Sequence, residues 1–251
     1  MRWAVYAATL GLLAWLAVLV DWGRLREAFF DTEIFSEQFP KIVTHAARNT
    51  LIFTFFGFVI GLSLALLLAL MRLSSMRPYR WFAIGWIELF RGVPALTTLL
   101  AVGFAVPIAL QWRVPFTYGP GSVGLGIVYS AYMAETIRAG IEAVPKGQIE
   151  AARSLGMTPT RAMSSIVLPQ AFRIIIPPLT NEVVALVKDT SLLYILGTTA
   201  STVEITKFSR DAALKTFSVT PLLAGALVYL AITIPLTRGI ALLERRNRRA
   251  R

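Results

Sequence analysis

Hydrophobic and polar positions do not alternate finely along this chain; they fall into long blocks. Between Arg48 and Arg72 lie 23 residues without a charge, between Arg91 and Arg113 another 21, and between Lys215 and Arg238 another 22. Residues 3–20 add 18 more. A helix needs about 20 apolar residues to cross a bilayer, so these four blocks qualify as spans. Two more stretches are mainly apolar but carry charges: about 122–141, with Glu135 and Arg138, and about 175–196, with Glu182, Lys188 and Asp189. The pattern predicts an all-α membrane protein, a polytopic helical bundle of about six transmembrane helices.

Local signals divide these blocks further. The first, 3–20, is long for a cleaved signal, and "VLVDWGR" after it has no small-x-small site, so a retained anchor is expected. The second span runs over about 50–71. The third splits into a lead-in helix, 81–90, and a crossing segment, 95–110, because Pro94 disfavours helix at Val93. The fourth follows the "YGPG" turn, and the last covers about 221–243. Between spans four and five, "EAARSLGMTPTRAM" reads as two short helices around a tight turn. Gly156 suits the left-handed C′ position, Thr158 is an N-cap and Pro159 a first helical residue. Pro169 is expected to close this unit, and Pro177-Pro178 to break span five. The domain reading is an additional N-terminal anchor and extracytoplasmic segment (1–47), a transmembrane core (48–245, loop at about 143–170) and a basic tail (246–251).

Composition agrees with a membrane location. Charged residues make up 16% of the chain and the mean hydropathy is +0.64, whereas a soluble domain carries roughly 25% charged residues. The net charge of +11 is unevenly placed. With both termini cytoplasmic, the cytoplasmic side holds 15 Lys and Arg; the other holds 8, Arg113 among them, diluted by seven acidic residues. That asymmetry puts the termini inside, and the tail "ERRNRRAR" becomes an anionic-lipid contact. Without cysteine there is no disulfide, thiolate metal site or cysteine nucleophile. The single histidine, His45, precedes a span and reads as interfacial. No phosphate-binding loop, H-E-x-x-H or G-x-S-x-G motif occurs. The chain is therefore read as no enzyme by itself, and no cofactor is implied.

A helix-turn-helix in a basic chain invites a nucleic-acid reading, but its setting opposes one. The second helix, 160–168, offers a single basic side chain, Arg161, before the next span, whereas a DNA reader needs that helix free to lie in a groove. Arg153 and Arg161 neutralise two phosphates at most, against roughly six to ten in proteins of useful affinity. Protein docking fits better: Ala151, Ala152 and Gly156 allow close backbone approach, and Glu150 adds one directional charge. At this point "EAARSLGMTPTRAMSSIVLP" resembles the EAA loop of ABC-importer permeases, E-A-A-x3-G-x9-I-x-L-P. Glu150, Ala151, Ala152, Gly156, Ile166, Leu168 and Pro169 all match. "ELFRGVPAL", "AYMAETIRAGIEAVPKGQ", "LPQAFRIIIPPLTNEV" and "VKDTSLL" are similar to the polar amino-acid permeases of that group, over roughly 50–245. Val93 departs from them, standing where threonine is usual, and span one is an addition to a five-span core.

The resemblance implies partners and roles. The loop would seat on an ATPase subunit, with Glu150, Ala151, Ala152 and Gly156 as coupling residues, and nucleotide-driven closure would pass through it. Two ABC ATPase subunits, an extracytoplasmic solute-binding protein and a second permease, identical or similar, would complete an importer of polar amino acids. The site would be the cytoplasmic (inner) membrane of a prokaryote, and ATP hydrolysis would lie on the partner. The alternatives are the same architecture for methionine or an opine, a secondary transporter or channel, and a membrane-tethered transcription regulator.

Ionisable groups inside spans form the second candidate set. A charge at the bilayer centre costs roughly 2.5–3.5 kcal/mol, while one Leu or Val returns only about 0.3–0.6 kcal/mol. Glu182, Lys188 and Asp189 are therefore expected to face the bundle interior, a water-filled cavity or each other. Glu182 and Asp189, seven apart, share a helix face, as do Glu135, Arg138 and Glu142. Breaks at Pro94 and at Pro177-Pro178 would free backbone groups, tolerated at membrane depth only beside protein or water. Broken helices often mark transporter sites. Arg91, Pro94, Glu135, Glu182, Lys188 and Asp189 are thus candidate substrate-path residues, with structural pairing as the alternative role.

Overall fold

The computed structural model of the protein describes residues 2–111 and 114–249, without the side chains of Ala4 and 243–249. Arg113 from the charge count, the last two residues, and the side chains of the basic tail lie outside this description. Thirteen α-helices hold most of the described residues, and none of these is in a strand. α1 (Arg2–Leu19) and α2 (Trp22–Phe29) lead into α3 (Thr32–Lys41), capped by Asp31, whose carboxylate accepts from the Glu33 and Ile34 N–H groups at 3.0 Å. A π turn, Ile42–Ala46, carries the helix on into α4 (Ala47–Leu73).

The third block is bent as the proline predicts. α5 (Arg77–Gly92) ends at Val93, and the chain turns by 108° into a second arm, Ala95–Leu110. That arm comprises α6 (Ala95–Leu100), a π turn at Ala101–Ala105 and α7 (Val106–Leu110). The Pro94 carbonyl accepts from Thr97 N–H at 3.0 Å, so backbone groups at the bend are satisfied locally.

α8 (Gly119–Glu142) is the hub. Its most extensive pairing is with α4, and α11 and α5 also pack on it. Leu125, Met133 and Ala134 are fully buried there, within the larger hydrophobic core. Glycine permits the closeness: a Cβ on Gly61 of α4 would stand 3.1 Å from the Gly126 carbonyl oxygen of α8. A second, smaller core (Ile42, Ala46, Ala47, Ile205, Ala224 and Val228) ties the head of α4 to α12 (Ile205–Thr216) and α13 (Thr220–Arg249).

Two proline expectations are corrected. Pro169 does not close the loop unit: α10 (Pro159–Ala162) continues through a π turn, Met163–Val167, into α11 (Leu168–Asp189). In that turn the Leu168 N–H reaches the Met163 carbonyl, five residues back. The wider turn lets Pro169 sit in the first turn of α11, where its missing N–H is least costly. Nor do Pro177 and Pro178 break the fifth span; both lie inside α11, which passes into a 3-10 segment at Thr190–Leu196. The result is a helical stretch of 38 residues, Pro159–Leu196.

Among the described residues three helical stretches are long and apolar enough to cross a membrane, Trp22–Leu73, Pro159–Leu196 and Thr220–Leu242. The bent pair makes a fourth if taken as one span. The other two expected spans differ in character. α8 is long but rich in glycine, and a helix surrounded by protein needs little lipid-facing surface. α1 is apolar, but its largest side chains stay exposed, Trp3 at 85% and Leu10 at 66%.

Candidate functional site

The loop between α8 and α11 folds as its residues direct. α9 (Lys146–Ser154) ends where Gly156 takes a φ of +81°. The Met157 N–H then bonds the Ala152 carbonyl at 3.1 Å, closing a Schellman turn. Arg153 Nη1 donates to the Met157 carbonyl at 2.9 Å, and Thr158 Oγ1 accepts the Arg161 N–H at 3.3 Å to start α10. Two helices at a fixed angle result, anchored inward by buried Ala152, Ala162 and Val167. Of the four residues singled out from sequence, Glu150, Ala151 and Gly156 are exposed, whereas Ala152 is buried and packs the loop. Sequence reasoning missed Leu155, which stands 85% exposed beside Gly156. An apolar residue next to a C-cap glycine on a polar helix was the available signal.

The in-span charges fall into two groups. Glu135 accepts from Arg138 Nε at 3.1 Å and lies 3.7 Å from Arg72 Nη1, and Arg138 also pairs with Glu142. This ion cluster joins α8 to the end of α4, so Glu135 has structural partners. Asp189 instead accepts a 3.0 Å hydrogen bond from the Tyr129 hydroxyl of α8, with Glu182 half-buried seven residues earlier. Arg91, at the end of α5, stacks 5.9 Å from the ring centre of Tyr132. Lys188 is exposed and pairs with neither carboxylate among the described residues. Arg91, Glu182 and Asp189 thus approach the same stretch of α8, with Pro94 at the nearby bend. Lys188 forms no ion pair there among the described residues, and Glu135 belongs to the ion cluster.

A third polar group went unread in the sequence. Glu204 is fully buried and caps α12, accepting from the Thr206 and Lys207 N–H groups at 2.6 Å each and from the Tyr229 hydroxyl at 3.2 Å. Burial pushes its carboxyl up to about 7. Beside it, Asn49 Nδ2 donates to the Ser201 and Val203 carbonyls at 3.0 and 2.8 Å, and Tyr118 donates to Asn49 Oδ1 at 2.8 Å. The network ties the loop after α11 to the head of α4. A mixed cavity of about 600 Å³ is lined in part by Phe53, Phe104, Gln111 and Thr198, and by Thr202 of the same loop.

A helical bundle with an exposed two-helix loop and polar groups grouped along one buried helix has the form of a membrane transport permease. A family profile described as a binding-protein-dependent transport system inner membrane component matches residues 57–249, and the chain belongs to that family. Its curated relatives include the arginine transport system permease protein ArgU of Corynebacterium glutamicum, 35% identical over 97% of this chain and 79% of that one. The probable glutamine ABC transporter permease protein GlnM of Bacillus subtilis is 39% identical over 76% of this chain and 84% of its own. The glutamate/aspartate import permease protein GltK of Escherichia coli O157:H7 is 35% identical over 79% and 90%. Among solved structures, an amino acid ABC transporter crystallised with histidines superposes with a TM-score of 0.78 at 34% identity, covering 86% of this chain and 98% of that chain.

Proposed function

We propose that the chain is the permease of an importer for polar amino acids in the cytoplasmic (inner) membrane of a prokaryote. Two ABC ATPase subunits would work with it from the cytoplasm, and a solute-binding protein would deliver substrate from outside. One observation carries this reading: the exposed loop of α9 and α10 runs without a break into the long helix that bears Glu182 and Asp189. A partner that moves the loop therefore moves the helix. The names of the relatives supply the substrate class. Span length supports six spans and basic-residue asymmetry supports cytoplasmic termini, in which case the loop would lie on the ATPase side.

In this reading Glu150, Ala151 and Gly156 meet the ATPase while Ala152 holds the loop to the bundle. Arg91, Glu182 and Asp189 offer one cation and two carboxylates to a zwitterion, beside the bend at Pro94. Glu135 and Lys188 serve at the edges of that path. Two copies, or one copy with a similar permease, would enclose it between them.

The test is reconstitution of the permease with its ATPase and binding protein in proteoliposomes, scored with labelled arginine, glutamine and glutamate. Uptake of at least one should require internal ATP and the binding protein. Uptake driven by an ion gradient without ATP would assign a secondary transporter instead. ATP-dependent uptake of methionine alone would remove the polar substrate class.

A further inference from the structure

A cavity of about 710 Å³ lies apart from the sites above, where α3, the head of α4 and the middle of α13 meet. Its walls are apolar: Leu51 and Phe55 from α4, Leu227 and Ala231 from α13, and the rings of Phe35 and Phe39, stacked at 4.9 Å. Leu51, Phe55 and Leu227 are 47%, 61% and 44% exposed, so the groove is open at its side. Both long walls belong to stretches apolar enough to cross a membrane. Arg48 is the single charged residue in the lining, exposed, with no ion pair or hydrogen bond among the described residues. It sits at one end of the α4 wall, and the apolar lining continues from it to Phe56, a rise of about 12 Å.

A cation followed by an apolar trough is the complement of a phosphodiester followed by an acyl chain. We propose that this groove holds one phospholipid of the surrounding bilayer, its phosphate on the Arg48 guanidinium and one chain along α4 and α13. The guanidinium presents paired donors matched to phosphate oxygens. Lipid tails are as apolar as leucine, so seating a chain against protein gains little over leaving it among other chains. Retention at this groove therefore depends on Arg48. The same reasoning weighs against α1 as occupant, because its 18 residues include no carboxylate to meet Arg48. The assignment holds for either orientation of the termini, since a headgroup layer lies at both faces of the membrane.

The assembled permease–ATPase complex in phosphatidylethanolamine–phosphatidylglycerol vesicles provides the test. One sample carries a trace of phosphatidylglycerol bearing a mid-chain diazirine; the other carries diacylglycerol with the same chain. After photolysis, peptide mass spectrometry compares residues 51–56 and 227–232 with residues 66–70 on the same α4, where Leu66 and Leu70 are also exposed. Phosphatidylglycerol should label the groove several-fold more than 66–70, and diacylglycerol should label both alike. Arg48→Gln should abolish the excess; Ala231→Trp, which fills the groove, should do the same without changing 66–70. Equal labelling by phosphatidylglycerol, an excess that survives Arg48→Gln, or a groove shielded by a second copy of the chain would each overturn the proposal. Should either variant fail to assemble, the comparison of the two lipids on the unaltered protein decides.

Discussion

Glu204 shows how much one buried side chain can hold. It alone among the described charged residues is fully buried, and its carboxylate satisfies the first turn of α12 while meeting Tyr229 of α13. Burial raises its folded-state pKa to about 7 from an ordinary value of 4.5. The folded chain thus binds this proton more tightly than the unfolded one. Its stabilising contribution is full below about pH 4.5, declines as pH rises, and is gone above about pH 7. Glu204→Gln removes the titration, so the variant should lose less stability between pH 5 and pH 8 than the unaltered complex. Thermal melting of the solubilised complex at both pH values measures it; parallel losses in the two proteins would refute the role. Its cap position was legible as a carboxylate ahead of an amphipathic stretch. Its burial was not, because that depends on Tyr229 and Thr50, brought there by two other helices.

At the level of helices, the crossing of α4 and α8 is set by backbone against backbone. A Cβ on Gly61 would face a backbone oxygen, which cannot swing aside as a side chain can. Gly61→Val should therefore force the helices apart and cost about 1–3 kcal/mol of overpacking, seen as reduced yield and a lower melting temperature. Gly85→Ala, where a Cβ meets nothing within 4 Å, should leave both unchanged and serves as control. A Gly61→Val complex as stable as its parent would mean the crossing is looser than drawn. The order of the long helices, the bend at Pro94 and the turn at Gly156 were readable from apolar blocks and local backbone rules, whereas α2, α3 and α12 were not expected. The passage of helix through Pro169 and Pro177-Pro178 was not. Those prolines are breakers in water, but an unwound segment in a bilayer would leave more backbone groups without partners than each proline does. The π turn before Pro169 is a second local solution that apolar periodicity does not encode. Ala152 was readable as small, yet only packing told inward from outward.

For the whole molecule the decisive question is orientation, and the absence of native cysteine makes it simple to ask. With both termini cytoplasmic, Ser74→Cys and Ser164→Cys should resist a membrane-impermeant thiol reagent in intact cells. Ser36→Cys and Phe217→Cys should react; Phe217 is 97% exposed, which makes it a sound reporter. The inverse pattern would reverse the orientation and remove the loop from the ATPase side. The unbroken helix Pro159–Leu196 then has a mechanical meaning. At 38 residues it is about 57 Å long, so a tilt of about 10° around its midpoint would carry each end about 5 Å in opposite directions. It is a lever arm: displacement at the loop would be repeated, reversed in sense, at the far end, without any relay of side chains between them. Spin labels at Ser164→Cys and Ser191→Cys would then keep one separation through the ATP cycle, while the distance from either to a label on α13 changes. A separation within the helix that itself altered with nucleotide would mean the arm bends, and the stroke would be spent at its prolines.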